Sequence, residues 1–508
     1  MSLALSNNKW RDILALMVAV FLTRWVFGAE YLVHFDSVNF ALGVVDYNPV
    51  VHQPHPPGYF LYILLGKVLN YFTGEPGAAL LAISIGASVA AVAFVYTLTY
   101  EWFDRKAAIF AGLLFLFSPF TWFYGTIALT YIVEFCLVSL IGLLCWYISI
   151  GKKQFLLPAA VVMGIAVGFR QSSILFLAPL CLYAVRNVGI KHSLIAVLVF
   201  TATVVVWFVP MLIASGGGEL YFTALNDLWV RTASTSNVPA VVKSEGLLRG
   251  MVTAFTHSLL VLFFYGVGFA AAAPLILMRG LPLGSWDSQK RFALIWIIPG
   301  VLFFSFIFIT FSNMGYMSVI FPPLFAIIGA KVAKWYEQIG ERWQYKTGFV
   351  AFIAIVNTMV FLYVPSYMGY QDRKNYENNI LLTQEALNKS IDPASTLVVA
   401  LDVYRYGFRE AGYYSPEYLV VQHPEMPLSS SIKVYAMHNR KTVILDKIPM
   451  EKYSRFVVFP TPRHENVQEE LWSMFPEGSV SKVSKNGYTF IEGPSSELKY
   501  LFPKTAAQ

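Results

Sequence analysis

The chain has 508 residues, of which 56% are hydrophobic and only 13% charged, with a net charge of +7 and a mean hydropathy of +0.56. Soluble domains carry about 25% charged residues. This composition therefore excludes a soluble globular protein, a disordered chain and a disulfide scaffold, and implies an integral membrane protein. Cys136, Cys145 and Cys181 all fall in apolar runs, so they supply neither a zinc spacing nor a disulfide framework for an exported domain.

In chain order, apolar runs predict spanning helices near 12–33, 77–100, 107–121, 124–149, 155–168, 172–185, 192–214, 254–278, 292–311, 315–330 and 348–365. The runs at 155–168 and 172–185 are short, and loop charge decides between one helix and two. Eleven spans with the N-terminus inside place fifteen Lys and Arg on the inner side. They leave five outside before residue 366: Lys67, Arg170, Arg231, Lys243 and Arg249. Arg24 lies within the first span. This is the bias of the positive-inside rule, and merging 155–185 into one helix inverts every later loop. The split arrangement puts residues 366–508, with 16 basic and 16 acidic residues, on the periplasmic or extracellular face. The 12–33 run exceeds a signal-peptide core and lacks a small-residue cleavage site. No internal repeat is visible, which counts against a secondary transporter.

Three regions are expected outside the membrane. The loop at 34–76 holds a helix-like stretch at 37–45, the turn Asp46-Tyr47-Asn48-Pro49, and the run His52 to Tyr59. Its residues 59–72 are amphipathic and too short to span, which suits a helix lying at the interface. The loop at 215–253 opens with Gly216-Gly217-Gly218 and contains Tyr221, Asp227 and Arg231. Beyond a helix at 375–389, β-branched runs at 395–401, 418–422, 432–436, 442–446 and 455–460 predict strands of a small α/β or α+β domain. The chain thus divides into a helical polytopic module, 1–365, and an extramembrane domain, 366–508.

Several residues suit chemistry. Asp36, where the first span meets the outer surface, serves either as a general base for an acceptor hydroxyl or as the cap of the following helix. Asp46 suits a turn. His52 and His55 sit among Pro54, Pro56 and Pro57, a rigid setting that either fixes side chains beside a substrate or simply connects loop to helix. Two histidines three apart also suit a divalent metal, although no third ligand has a diagnostic spacing. Arg170 and Gln171 lie between the two short spans. An Arg there either binds a lipid phosphate in a forked geometry or snorkels to anchor the helix ends. Arg24, Glu30 and Glu134 are charges within predicted spans, and Arg24 with Glu134 is read as a structural ion pair. Tyr124 reads as an interfacial aromatic.

Asp36 through Asn39, His52 through Tyr59, and the Gly164–Gln171 turn together resemble the GT-C glycosyltransferases. The closest type is glycosyltransferase family 39, which includes protein O-mannosyltransferases and the aminoarabinose transferase of lipid A. The resemblance covers residues 10–190 by motif and extends to 365 by topology. It implies inverting transfer of a sugar from a polyprenyl phosphate to a hydroxyl of a glycan, lipid or protein at the outer face. By this resemblance Asp36 takes the catalytic acidic position, and Arg170 and His55 meet the donor phosphate. His52, Tyr59, Gln171 and Arg231 are the substrate-contact candidates. The chain departs from the family in having Ser37 where a second acid is common, and His55 where some members carry Lys. A polyprenyl phosphate leaves as an anion, so such a site needs cations more than a general acid. No nucleic-acid partner is expected. The rival readings are a transporter or flippase of a lipid-linked sugar, which shares the spans and phosphate-binding cations but needs no rigid loop with an acid, and a non-catalytic scaffold.

Overall fold

The structure is a computed structural model. It describes residues 2–236, 243, 246–260, 287–307, 314–339, 342–364, 369–388, 391–400, 407–423, 434–459, 465–485 and 488–502. Helix α1 (Ser2–Val26) ends before the predicted limit of 33. The backbone groups that follow find tertiary partners instead of helical ones: Arg373 Nη1 donates to Phe27 O at 2.6 Å, and Ala29 N–H donates to Thr126 O at 2.9 Å. Helices α2 (Phe35–Val45), α3 (Phe60–Thr73) and α4 (Pro76–Trp102) follow. Pro76 starts α4, where a missing N–H costs nothing, and α4 packs against α1 and α3.

The predicted run at 107–121 is bent. Helix α5 (Arg105–Phe117), capped by Asp104 on Ala107 N–H at 2.8 Å, meets α6 (Pro119–Gly125) at 58°. Pro119 has no N–H to continue the α5 ladder. The carbonyls left at the end of α5 are filled by Arg24, whose Nη1 donates to Leu116 O at 2.8 Å and Nη2 to Phe115 O at 3.3 Å. This corrects the expected Arg24–Glu134 pair. A buried guanidinium needs acceptors, and the negative end of a helix supplies them.

Helix α7 (Tyr131–Ser149) is followed by α8 (Leu156–Phe169) and α9 (Ser173–Val185), two short helices separated at Arg170–Ser172 as the loop charge suggests. Helix α10 is Ile190–Ala214. The region expected as a loop at 215–253 instead contains α11 (Gly218–Ser236) and the start of α12 (Leu247–Leu260). The rest of the predicted 254–278 span lies outside the described residues. Helix α13 (Asp287–Phe306), a 3-10 segment at Met314–Ile320, α14 (Phe321–Gln338) and α15 (Trp343–Tyr363) complete the helical module. Among the described residues, five helical segments are long and apolar enough to cross a membrane, or six if the bent α5–α6 pair is one span. The expected eleven also counted α8 and α9, which are short, α1, which carries Lys9, Arg11 and Asp12 along its length, α13, which begins with Asp287, Lys290 and Arg291, and the 254–278 run, most of which lies outside the described residues.

Helix α16 (Tyr370–Asn388) leads to a seven-stranded sheet of order β4-β3-β2-β1-β5-β7-β6. The strands are β1 (Thr396–Ala400), β2 (Leu419–Gln422), β3 (Val434–His438), β4 (Lys441–Leu445), β5 (Arg455–Phe459), β6 (Ser481–Lys485) and β7 (Tyr488–Pro494). Among the described strands, only the pairs β1–β2 and β1–β5 are parallel. Between β1 and β2 lies α17 (Phe408–Tyr414). The central strands β1 and β2 are buried along their whole length because both faces are covered. Val398, Ala400, Val420 and Val457 join the core of the helical module, while Leu397, Val399, Val421 and Val458 join a second cluster. The first five strands were legible as β-branched runs. Edge strand β6 (Ser-Lys-Val-Ser-Lys) was not, because exposed edges are written in polar residues.

Candidate active site

The backbone of the His/Pro loop is closed on itself. Asn48 N–H donates to Gln53 O at 2.7 Å, and Gln53 N–H donates back to Asn48 O at 2.9 Å. Within this ring His52 is left-handed, with φ 60°, and at the far end of the loop Tyr59 has φ 44°. Gly58, at φ +94°, packs where a Cβ would fall 2.6 Å from Tyr47 Oη, so only glycine fits. The loop thereby delivers His55 to the start of α2.

Asp36 lies in the first turn of α2 but does not cap it. The cap is His34, whose Nδ1 accepts from Asp36 N–H at 3.0 Å, and this corrects the helix-cap reading of Asp36. Its carboxylate faces sideways: Oδ1 is 3.5 Å from His55 Nδ1 and Oδ2 is 3.7 Å from His34 Nδ1. Burial pushes the His55 imidazole below its ordinary value; Asp36 opposes this, while Arg170 and His34 add to it. Its ring stands edge-on to Tyr59, with centroids 5.2 Å apart.

Arg170 reaches the same place from the break between α8 and α9. Its Nε lies 3.1 Å from Glu134 Oε2, with both side chains buried, and its Nη1 donates to Thr130 Oγ1 at 3.1 Å. Glu134 is fixed in turn by Ser173 Oγ at 2.8 Å and Ser318 Oγ at 3.0 Å. The guanidinium carbon sits 4.5 Å from the centre of the Tyr131 ring and 4.7 Å from that of Tyr316, a cation–π seat. Tyr131 reaches this position because Gly315 has no side chain; a Cβ there would lie 2.3 Å from the ring. Gln171, in the break before α9, and Tyr221, on α11, both hold the loop, donating to Pro57 O at 3.3 and 3.2 Å.

Of the residues singled out from the sequence, Asp36, His55, Tyr59 and Arg170 are brought together, and Gln171 buttresses them. His52 supplies the bend. Asp46 ends α2, its N–H donating to Leu42 O. Arg231 belongs to α11, and its side chain lies outside the described residues. Sequence reasoning missed Glu134 as the partner of Arg170, and missed Tyr131, Tyr316 and Tyr221. The glutamate stands out in its apolar run, but its partner is set by helix packing. Among the described residues no group of three or more His, Cys, Asp or Glu is placed to hold a metal ion.

No curated protein matches the chain. Residues 50–193 match the family described as protein O-mannosyl-transferase TMEM260 N-terminal domain. That stretch includes His55, Glu134 and Arg170 but stops short of Asp36. Among solved structures, ArnT from Cupriavidus metallidurans in the apo state is similar at a TM-score of 0.57 and 12% identity, over 97% of this chain and 99% of that one. The same protein bound to undecaprenyl phosphate gives a TM-score of 0.58 and 12% identity, over 94% and 97%. At that identity the likeness is one of fold, helical module and C-terminal sheet domain together. Together with the family match at residues 50–193, this likeness supports a GT-C type, family-39-like glycosyltransferase.

Proposed function

We propose that this chain transfers a sugar from a polyprenyl phosphate to a hydroxyl acceptor at the outer face of the membrane, with inversion at the anomeric carbon. The observation that carries this reading is that Asp36, a carboxylate that caps no helix, lies beside His55, and that His55 and Tyr59 are within electrostatic range of both Asp36 and the buried, clamped Arg170. In this reaction the acceptor O–H gives its proton to Asp36 as its oxygen bonds to the anomeric carbon. The bond from that carbon to the phosphate oxygen breaks, and the electron pair leaves with the polyprenyl phosphate. Arg170 meets the departing anion. Glu134 and Thr130 hold Nε and Nη1, so the guanidinium is oriented before the donor arrives and little reorganisation is needed. His55, beside Asp36, contributes a hydrogen bond to the donor.

The family matched at residues 50–193 and the ArnT complex with undecaprenyl phosphate support a lipid-phosphate donor. The charge bias of the loops supports an eleven-span arrangement with residues 366–508 outside. His52, Tyr59, Gln171 and Arg231 are assigned to substrate contacts, with glycan, lipid or protein as acceptor.

The test uses native membranes containing the full chain and a panel of radiolabelled undecaprenyl-phosphate hexoses, following label into endogenous acceptors. Asp36→Asn is expected to lower transfer at least 100-fold while undecaprenyl phosphate still binds. Transfer at the unaltered rate by this variant removes Asp36 from the mechanism.

A further inference from the structure

The four non-glycine residues with left-handed backbone among those described are His52, Tyr59, Asn439 and Arg440. Two bound the His/Pro loop, and two form the tight turn between β3 and β4. Such conformations persist only where the surroundings over-determine them. Here the two strained turns touch. The side chain of Gln53, fully buried, accepts from Thr442 N–H at 2.9 Å and donates to Arg440 O at 3.1 Å. It continues the edge of β4 as an added strand residue would.

On the other side of His52, Arg409 reaches across from α17. Its Nη2 donates to Val51 O at 2.5 Å and its Nη1 to Thr442 Oγ1 at 2.7 Å. Arg409 is fully buried, and among the described residues no carboxylate pairs with it. Burial pushes it down to about 9, with Tyr435 opposing. A buried cation without a carboxylate partner is costly, and the two acceptors it serves are what compensate it. His52 is therefore held on both sides, at Val51 and at Gln53, by the C-terminal sheet domain. Pro54, Pro56 and Pro57 transmit that fix to His55.

We propose that Arg409 and Gln53 form a latch through which the C-terminal sheet domain pins the left-handed turn at His52 and so holds His55 against Asp36. This assigns residues beyond 366 a positioning role in the site, and it rests on the reading of the Asp36 cluster as the transfer site. Arg409 and Gln53 touch no reacting group; they act through the loop.

The test uses the full chain in nanodiscs, with Arg409→Gln, Arg409→Lys and Gln53→Ala. Gln53→Ala removes two hydrogen bonds without disturbing a buried charge, so it remains informative if Arg409→Gln does not fold. Hydrogen exchange of amides 48–59 is expected to rise at least tenfold in Arg409→Gln and Gln53→Ala, with α4 and α7 unaffected. Arg409→Lys, which keeps a donor for Val51 O, is expected to retain most of the protection. In the transfer assay with undecaprenyl-phosphate hexoses, kcat is expected to fall at least tenfold while KM for the donor stays within threefold. Unchanged exchange in both disrupting variants overturns the latch. Raised exchange with transfer within twofold of the unaltered chain overturns its role in the reaction. Absence of transfer by the unaltered chain counts against the proposed function, whereas the latch itself is still decided by the exchange.

Discussion

Replacing Glu134 by Gln is the sharpest test of how the candidate site is built. Glu134 and Arg170 are separated by 3.1 Å with side chains 1% and 5% exposed. Water does not screen such a pair, and breaking it leaves one buried charge uncompensated, at a cost of about 3–5 kcal/mol. Glu134→Ala also strips the acceptors of Ser173 and Ser318, adding roughly 1 kcal/mol for each hydrogen bond. Arg170→Gln is expected to cost a similar 3–5 kcal/mol for the mirror-image reason. The double variant, Glu134→Gln with Arg170→Gln, places two neutral amides face to face and is expected to cost about 2–3 kcal/mol less than the sum of the single changes. Equilibrium unfolding of the full chain by dodecyl sulfate in mixed micelles measures all four variants. A coupling below about 0.5 kcal/mol, the level of independent sites, would refute the clamp and leave Arg170 oriented by Thr130 and the two tyrosines alone.

Two further outcomes follow from the same geometry. Burial pushes His423, beside the end of β2, down to about 4. The unfolded chain then binds the proton first as pH falls. The stability this histidine confers is complete above about pH 6.5 and is lost toward pH 4, by roughly 3 kcal/mol. His423→Gln is expected to flatten that loss in unfolding measured from pH 7 to 4.5, and equal slopes for the two proteins would remove His423 as its source. Gly315→Ala puts a methyl 2.3 Å from the Tyr131 ring; overpacking of this kind costs about 1–3 kcal/mol. It is expected to displace the ring from Arg170 and weaken undecaprenyl phosphate binding about tenfold, and unaltered binding in a folded variant argues against a role for the ring.

How much was legible depended on the range of the forces involved. The break between α8 and α9 was readable because charge and apolar length act locally along the chain. So were α2, α3 and the first five strands, whose periodicity belongs to neighbouring residues. The helices at 218–236 and 247–260 were hidden behind the Gly216-Gly217-Gly218 signal and scattered charges. Asp36 was marked by its place after an apolar run, but its freedom from capping was not, since that turns on His34 Nδ1 taking the Asp36 N–H. Arg24 and Glu134 were each visible as costly charges in apolar surroundings, and the wrong partner was inferred for both. Sequence shows that such a charge needs compensation. It does not show whether a carboxylate or the open carbonyls at a helix end will provide it.

By itself the sequence determined that this is a polytopic helical protein with a C-terminal sheet domain, and it marked Asp36, the His/Pro loop and Arg170 as the places where chemistry concentrates. Composition and periodicity suffice for that, because hydration and helix or strand geometry act residue by residue. Only the tertiary structure decided that Arg170 is clamped by Glu134, that Arg24 seals the end of α5, and that the C-terminal domain grips the loop at Val51 and Gln53. Each of those contacts joins residues between about 35 and 390 positions apart. Their existence depends on which faces the packed helices present to one another, and no local pattern in the chain encodes that.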